Sequence, residues 1–334
     1  MKKNLKVFVT RDIPDIGINL LRKNGFDVTV WQKDEPIRQP VLIEETKKVN
    51  ALLCTSPDKL DAEFLKECAH LDIISQYAAG YDNIDLNEAT RLGIPVGNTP
   101  DAMSEATADI AFGLMIAVSR KMFYMYRKIE KGEWGVFRPR ANLGIELKNK
   151  TLGIFGLGRI GFQMALRCKG AYDMKIIYHN RKPNAEAEKK LGAKWVSFED
   201  LLQQSDVISV HAALNETTRE IFNAAAFSKM KKNSIFINTS RGALHNEKDL
   251  TAALKNGEIW GAGLDVTNPE PMRHDNPLLF LDNTAILPHI GSATIEARDE
   301  MSRLAAQNII EFYSTGQVPH LVNPEVMGKI GNRQ

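Results

Sequence analysis

Thr151–Gly161, T-L-G-I-F-G-L-G-R-I-G, forms a short apolar strand pattern that leads directly into a G-x-G-x-x-G motif. In such a motif Gly156 permits a tight turn, Gly158 lets the backbone approach a pyrophosphate, and Gly161 lets the following helix pack closely on the strand. The first N–H groups of that helix lack partners within the helix and can face an anion. Because three glycines at this spacing also occur in ordinary turns, the neighbouring elements must decide between a nucleotide site and a turn.

The residues after Gly161 alternate regularly between strand and helix patterns. Strands are predicted at residues 151–155, 174–178, 206–210, 234–238, 262–266 and 285–287, with helices at 162–169, 198–204, 224–230 and 247–255. This alternation predicts a complete six-stranded Rossmann sheet with the glycine motif on its first strand. That position favours the nucleotide site.

The first hundred residues show the same alternation and predict a second, flavodoxin-like parallel sheet. A single long helix over residues 102–128 is predicted to cross between the two domains, and a last helix over 294–313 to return to the first. The expected fold class is therefore α/β, with two doubly wound parallel-sheet domains. Residues 1–100 with 290–334 are expected to form a discontinuous substrate (catalytic) domain, and 101–289 the dinucleotide-binding domain with the crossover helix.

A predicted strand over residues 72–76 ends in a loop of small residues, Tyr77-Ala78-Ala79-Gly80-Tyr81-Asp82. Ligands bind beyond the carboxyl ends of strands in α/β sheets, where exposed N–H groups can reach an anion. The alternative is a plain turn.

The composition is that of a globular protein of 334 residues, with 43% hydrophobic and 25% charged residues. The 43 basic and 41 acidic residues are mixed along the chain, so no basic tract indicates nucleic acid. Three cysteines without C-x-x-C spacing favour buried, reduced thiols. The longest apolar stretch, residues 110–118, is far below the ~20 residues needed to cross a bilayer. We expect a cytoplasmic protein without membrane or nucleic-acid partners, and no metal site.

The end of the second predicted strand of the dinucleotide domain distinguishes the two nicotinamide dinucleotides. An NAD site expects an acidic residue about 20 residues beyond the glycines, to bind the ribose 2′-hydroxyl. Here the sequence is Tyr178-His179-Asn180-Arg181-Lys182, without a carboxylate. Arg181 and Lys182 could instead pair with a 2′-phosphate. The sequence therefore predicts NADP(H) in preference to NAD(H), the alternative being a solvated basic turn.

Four groups able to support hydride transfer to a keto acid follow predicted strands: Arg241, Asp265, Glu270 and His289. Arg241 offers a planar fork for a carboxylate. His289 can give a proton near neutral pH, and Glu270 can favour its charged form. Each residue alone could be a surface ion pair, a loop charge or a histidine satisfied by backbone, but all four fall at strand ends that share one edge of a parallel sheet.

The chain resembles the D-isomer-specific 2-hydroxy acid dehydrogenase family over nearly its whole length, and within it the glyoxylate/hydroxypyruvate reductases. The resemblance is carried by residues 77–85, 156–161, 238–242, 264–271 and 288–294. It implies Arg241, Glu270 and His289 as the catalytic trio, with Asp265 near the nicotinamide carboxamide. It also implies the backbone of Ala78, Ala79 and Gly80 near the substrate carboxylate, together with Arg241 and His289, and a homodimer built largely through the crossover helix.

The predicted cofactor-binding set combines the glycine motif with the strand ends: Gly156, Leu157, Gly158, Arg159, Ile160, Asn180, Arg181, Lys182, His211, Thr239, Ser240, Asp265 and Gly291. Two features depart from the family pattern. One is the missing acidic residue after the second strand. The other is His211-Ala212-Ala213-Leu214, where the family often has proline in a His-x-Pro-Leu segment.

The leading functional hypothesis is NADPH-dependent reduction of glyoxylate, hydroxypyruvate or a similar small 2-keto acid to the 2-hydroxy acid. One alternative is a D-3-phosphoglycerate dehydrogenase without a regulatory domain, because the sequence ends soon after its last long helix. Another, from a different class, is a dinucleotide-sensing protein like the family's transcriptional corepressors.

Overall fold

The structure, a computed structural model, describes residues 5–330 and divides into two compact units. Unit 1 comprises Met1–Met103 and Ala293–Gln334, and unit 2 comprises Ser104–Ser292. Each unit is built on one sheet whose strand pairs are all parallel.

The strands and helices alternate along the chain. The strands are β1 (Lys6–Val9), β2 (Asp27–Val30), β3 (Ala51–Cys54), β4 (Ile73–Gln76), β5 (Val96–Gly97), β6 (Thr151–Phe155), β7 (Lys175–His179), β8 (Lys194–Trp195), β9 (Val207–Val210), β10 (Ile235–Asn238), β11 (Gly261–Leu264) and β12 (Thr284–Ile286). The α-helices are α1 (Asp15–Lys23), α2 (Gln39–Thr46), α3 (Ala62–Glu67), α4 (Leu86–Arg91), α5 (Ser104–Ser119), α6 (Met122–Glu130), α7 (Arg159–Tyr172), α8 (Ala185–Leu191), α9 (Phe198–Gln204), α10 (Ala224–Lys229), α11 (Glu247–Lys255), α12 (Ile295–Thr315) and α13 (Met327–Ile330). Short 3₁₀ turns occur at Gly242–Leu244, Pro277–Phe280 and Pro324–Val326.

The sheet of unit 1 has the strand order β2-β1-β3-β4-β5, which is the flavodoxin-like order. Its strands are buried on both faces, since Val7 and Val9 pack into one core and Phe8 into the other. Side-chain caps fix where helices begin, because Ser, Thr, Asp and Asn at the N-cap accept a hydrogen bond from a free N–H of the first turn. Before α3, the side chain of Asp61 accepts from the N–H of Phe64 in this way. At the other end of unit 1, α12 ends at Gly316 with a φ of 75°.

The sheet of unit 2 has the order β12-β11-β10-β9-β6-β7-β8. The chain leaves β6 towards β7 on one side and returns to β9 on the other, which is the Rossmann switch point. These two sheets confirm the predicted fold class. The prediction of six strands was wrong, because β8 adds a seventh at the edge beside β7. Two residues carry too little periodicity to predict a strand.

The single helix predicted over residues 102–128 was also wrong. The structure has two helices there, α5 and α6, separated at Lys121, whose φ of 53° lies in the left-handed region. A residue in that region ends the hydrogen-bonding pattern of an α-helix. Buried residues of α5 such as Leu114 and Met115 pack in the core of unit 2, whereas α6 has none.

Cys54, Cys68 and Cys168 are buried free thiols, as predicted. Among the helices of residues 5–330, none combines the length and apolar character that crossing a membrane requires.

Candidate active site

The glycine motif forms the turn between β6 and α7, at the carboxyl edge of the unit 2 sheet. Gly156 has a φ of 95°, and a Cβ atom there would lie 2.5 Å from the backbone nitrogen of Ala212. Any side chain would therefore meet both strain and a clash. At Gly158 a Cβ atom would meet no atom of the described chain within 4 Å. The turn is thus tight on its inner side and open on its outer side, as a phosphate-binding turn requires.

α7 begins directly after Gly158, and its first residues are Arg159 and Ile160. No side chain in the described part of the protein caps this helix, and its first turn contains no acidic residue. The N-terminus of a 14-residue helix carries a partial positive charge. The N-terminus of α7 can therefore bind an anion at the open side of the glycine turn.

Asn180 ties the end of β7 to the glycine motif. Its Oδ1 accepts from the N–H of Leu157 at 2.7 Å, and its Nδ2 donates to the carbonyl of Leu157 at 3.3 Å. The next two side chains, Arg181 and Lys182, are exposed, and neither makes a hydrogen bond or ion pair with another described residue. Two cationic side chains therefore stand beside the glycine motif without an anionic partner in the described part of the chain.

Two buried polar atoms near the neighbouring strand ends lack partners among residues 5–330: Nδ1 of His211, after β9, and Oγ1 of Thr239, after β10. Nε2 of His211 lies 2.8 Å from Oγ of Ser209, and burial lowers the pKa of His211 to about 3, so the ring is neutral. Ser240 donates from Oγ to the carbonyl of Ala212 at 2.6 Å, joining the two strand ends. Buried polar groups are nearly always hydrogen-bonded, so the unpartnered atoms indicate a ligand or water.

Glu270 and His289 form a hydrogen-bonded pair through Oε1 and Nδ1. Both side chains are 41% exposed, so the pair is accessible to a small molecule. Burial would raise the pKa of Glu270, but the hydrogen bond and charge of His289, with the nearby charge of Arg241, outweigh it and hold that pKa below its usual value. The structure thus brings together three of the predicted residues from three separate strand ends.

Asp265, 1% exposed, holds the segment after His289. Its Oδ1 accepts from the N–H of Ile290 at 2.8 Å and its Oδ2 from the N–H of Gly291 at 2.7 Å. Burial raises the pKa of Asp265, and these two donors oppose that rise. His289 itself has a φ of 55°, which few non-glycine residues adopt. Asp265 therefore stabilises the backbone conformation that presents His289.

In unit 1, the predicted substrate loop has an ordered backbone. The carbonyl of Ala78 accepts from the N–H of Thr99 at 3.0 Å, that of Ala79 from Nδ2 of Asn98 at 2.8 Å, and that of Gly80 from Nε2 of Gln76 at 3.3 Å. None of the three N–H groups of this loop donates a hydrogen bond within residues 5–330. The loop thus has its carbonyls bound and its N–H groups without an acceptor among residues 5–330, which leaves these donors available for an anion.

A dinucleotide-binding site in unit 2 accounts for four features together: the open glycine turn, the uncapped helix α7, the unpartnered polar atoms and the basic turn. A family model for "D-isomer specific 2-hydroxyacid dehydrogenase, NAD binding domain" matches residues 112–291, more than half of the chain. The chain belongs to the D-isomer-specific 2-hydroxyacid dehydrogenase family. This confirms the predicted family.

Other members of this family match the chain over nearly its whole length. A glyoxylate reductase from Thermococcus litoralis is 45% identical over 96% of this chain and 98% of its own. Among solved structures, a glyoxylate reductase from Paecilomyes thermophila is 36% identical with a TM-score of 0.86, covering 97% of this chain and 99% of that one. An NADPH-dependent glyoxylate/hydroxypyruvate reductase from Sinorhizobium meliloti, solved with NADP and malonate, is 29% identical with a TM-score of 0.85 over 97% and 98%.

The protein is therefore an NAD(P)-dependent D-2-hydroxy acid dehydrogenase with a nicotinamide dinucleotide cofactor. Within residues 5–330, no three histidine, cysteine or acidic side chains group as metal ligands.

Sequence reasoning missed several residues that shape this dehydrogenase site. Thr107 on α5 donates from Oγ1 to the carbonyl of Gly291 at 3.1 Å. Asn238 donates to the carbonyl of Arg241 at 2.9 Å and lies 3.0 Å from Nδ1 of the buried His245. Thr107 lies far from the site in sequence and gives no signal there, whereas Asn238, the last residue of β10, could have been found by its position.

Proposed function

We propose that this protein reduces a small 2-keto acid, glyoxylate or hydroxypyruvate, to the 2-hydroxy acid with NADPH. The observation that carries the proposal is the hydrogen-bonded pair of Glu270 and His289 with the charge of Arg241 beside it. Such a trio combines a carboxylate anchor, a proton donor and a group that favours the donor's charged form. The glyoxylate reductases of T. litoralis and P. thermophila, similar over nearly the whole chain, support this substrate class.

The chemistry is divided among the chain's own groups. Reduced nicotinamide, when bound, supplies the hydride that adds to the keto carbon. Arg241 binds the substrate carboxylate with its guanidinium fork and orients the carbonyl. Glu270 occupies Nδ1 of His289, so Nε2 remains to give a proton to the carbonyl oxygen as the alkoxide forms. One hydride and one proton convert the 2-oxo carbonyl to the 2-hydroxyl group.

The preference for NADPH rests on Arg181 and Lys182. Both are exposed, both are without protein partners among the described residues, and both follow the strand end where a ribose 2′-substituent lies in this fold. A phosphate gains charge-assisted hydrogen bonds from such groups, each contributing about 1.5–3 kcal/mol if partly shielded. The S. meliloti relative is described as NADPH-dependent, which supports the same choice.

Each unit has a proposed task. Unit 1 is the substrate domain, in which the open N–H groups of Ala78, Ala79 and Gly80 bind the carboxylate. Unit 2 is the dinucleotide domain, in which the predicted cofactor-binding residues hold the dinucleotide and Asp265 binds near its carboxamide. The location of the enzyme in the cytoplasm stays a prediction.

The homodimer also remains a proposal. It is supported by exposed apolar side chains along and after α6: Met122, Tyr126, Ile129, Trp134, Val136 and Phe137. A groove of about 490 Å³ between α6 and the β12 segment adds to this surface. Such exposure is typical of an interaction surface. Sedimentation of the protein and of a Trp134→Ser/Phe137→Ser variant would test it, since a monomer–dimer difference is expected only if this surface is the interface.

The test of function is a turnover panel of glyoxylate, hydroxypyruvate, pyruvate, 2-ketogluconate and 3-phosphohydroxypyruvate, each with NADPH and with NADH. We expect the highest kcat/KM for glyoxylate or hydroxypyruvate with NADPH. A higher value for 3-phosphohydroxypyruvate would overturn the substrate assignment, and an NADH value equal to or above the NADPH value would overturn the cofactor assignment.

A further inference from the structure

The basic turn after β7 is tied to the glycine motif at both of its ends. At its start, Asn180 bonds both backbone groups of Leu157. At its end, Nδ2 of Asn184 donates to the same Leu157 carbonyl at 3.3 Å, and the N–H of Asn184 donates to the hydroxyl of Tyr178 at 2.7 Å. Only Arg181, Lys182 and Pro183 lie between these ties, and all three are exposed.

The same turn is held from a third side by Trp195. The indole Nε1 of Trp195 donates to the backbone carbonyl of Asn180 at 3.0 Å. Trp195 belongs to β8, the edge strand that pairs with β7, and stands opposite Tyr178 in that ladder. Trp195 is 43% exposed and is not among the side chains that form the two hydrophobic cores of unit 2, so the indole hydrogen bond is the contact through which it can act on the turn.

These contacts fix the peptide from which Arg181 extends. Without the indole donor, the Asn180 carbonyl would depend on water, and the peptide between Asn180 and Arg181 could rotate. A site that is ordered before its ligand arrives loses less conformational entropy on binding. This lower entropic cost strengthens binding only of a ligand group that reaches Arg181 and Lys182. In a dinucleotide that group is the ribose 2′-substituent.

We propose that Trp195 is a positioning residue for the 2′-phosphate of the cofactor and determines how strongly the enzyme prefers the phosphorylated dinucleotide. This inference rests on the proposed NADPH preference. Trp195 acts through the Asn180 carbonyl and needs no contact with the phosphate.

The test uses Trp195→Phe, which keeps an aromatic ring and removes the N–H. The matched control is Trp31→Phe in unit 1, where the indole likewise donates to a backbone carbonyl, that of Glu35 at 3.4 Å. Calorimetric titration with adenosine 2′,5′-bisphosphate and with 5′-AMP measures the 2′-phosphate site without turnover. We expect Trp195→Phe to raise the Kd for the bisphosphate by about three- to tenfold, which corresponds to the loss of one hydrogen bond, and to leave the Kd for 5′-AMP unchanged. Trp31→Phe should change neither Kd. In Trp195→Phe the NADPH/NADH ratio of kcat/KM should fall by the same factor as the affinity for the bisphosphate.

Equal weakening of both nucleotides, or of neither, would overturn the role of Trp195. An Arg181→Ala/Lys182→Ala variant separates this failure from failure of the proposed function. If the wild-type protein binds 5′-AMP as tightly as the bisphosphate, the proposed NADPH preference is wrong. If the double variant keeps wild-type selectivity, the basic turn does not bind the 2′-phosphate and the inference about Trp195 is wrong with it; if its selectivity collapses while Trp195→Phe retains it, only the Trp195 inference is wrong. If Trp195→Phe does not fold, Asn184→Ser decides, because it keeps a helix-capping side chain and removes the second tie to Leu157. Selective loss of bisphosphate affinity in that variant supports a preordered turn, and unchanged affinity contradicts it.

Discussion

The buried carboxylate of Asp265 accepts a hydrogen bond from the backbone N–H of Gly291 at 2.7 Å, two residues beyond His289. Its second oxygen accepts from Ile290 at 2.8 Å. His289, the proposed proton donor, thus stands on a loop that Asp265, after the neighbouring strand β11, holds by two backbone hydrogen bonds. A Cβ atom at Gly291 would lie 3.0 Å from Oδ2 of Asp265, so the contact also leaves little space for a side chain there.

Replacing Asp265 with asparagine should lower kcat by roughly ten- to a hundredfold, because one of two charge-assisted acceptors for the loop becomes an amide donor. Steady-state kinetics would measure this loss. Asp206→Asn is the control, because Asp206 also accepts a backbone N–H, that of Thr151 at 2.8 Å, but stands before β9 at the opposite edge of the same sheet. If the two variants lose kcat equally, Asp265 serves general stability and the clamp has no particular effect on His289.

His289→Ala should lower kcat by roughly 10²–10⁴-fold, since the keto oxygen loses its proton donor. Cofactor affinity, measured by titration of NADPH fluorescence, should remain close to that of the wild type. His274→Ala removes an exposed histidine of the same unit and serves as the control. A nearly normal kcat in His289→Ala would exclude this residue as the acid.

The parts of the fold that repeat a pattern over many residues were predictable. β6 and the glycine motif form one continuous signal from Thr151 to Gly161, and the structure has the strand, turn and helix there. β8 and the break at Lys121 were not predictable, because one depends on pairing with β7 and the other on a single left-handed residue within an apolar helical pattern. Tertiary contacts decide such details.

From the sequence, only those site residues could be predicted that lie directly after a predicted strand. Arg241, Glu270 and His289 are predicted as the catalytic residues because each follows a strand, and this assignment stays a prediction. Asn180 was predicted as a cofactor contact, and the structure places its side chain on Leu157. That hydrogen bond joins residues 23 positions apart, which no local pattern can reveal.

Glu270→Gln should move the basic limb of the reductive pH profile to lower pH. The pKa of Glu270 is held below its usual value, so its carboxylate is charged through the neutral range and favours the imidazolium beside it. Glutamine keeps the size and removes that charge. Profiles of kcat/KM between about pH 5 and about pH 10 measure the shift, and coincident limbs for the two enzymes would show that the pair does not couple.

Arg241→Lys should raise the KM for the keto acid by roughly tenfold or more while sparing the Kd for NADPH. A lysine keeps the charge but lacks the planar fork that binds a carboxylate with two parallel bonds. The split between substrate and cofactor is the informative measurement. Comparable weakening of both would point to a structural role, since Arg241 also donates to the carbonyl of Ser240 at 2.9 Å and its own carbonyl binds Asn238.

Acid should destabilise the fold through two buried histidines. Burial lowers the pKa of His211 to about 3 and that of His245 to about 4, from an ordinary value of 6.5. Between the native-state pKa and 6.5, each histidine is protonated in the unfolded chain but neutral in the native state. The free energy of unfolding therefore falls as the pH drops below about 6.5. At about pH 5 each histidine should account for up to about 2 kcal/mol of that fall.

Urea unfolding of the wild type and of His245→Gln at about pH 8 and about pH 5 separates this contribution from that of the carboxylates. The variant is expected to be less stable at both values, because Asn238 loses its histidine partner. Its loss between the two pH values should nevertheless be smaller than that of the wild type by up to about 2 kcal/mol, since one histidine no longer titrates. If both proteins lose the same free energy, His245 is protonated with equal ease in the native and unfolded states, and its burial does not control the acid sensitivity of unit 2.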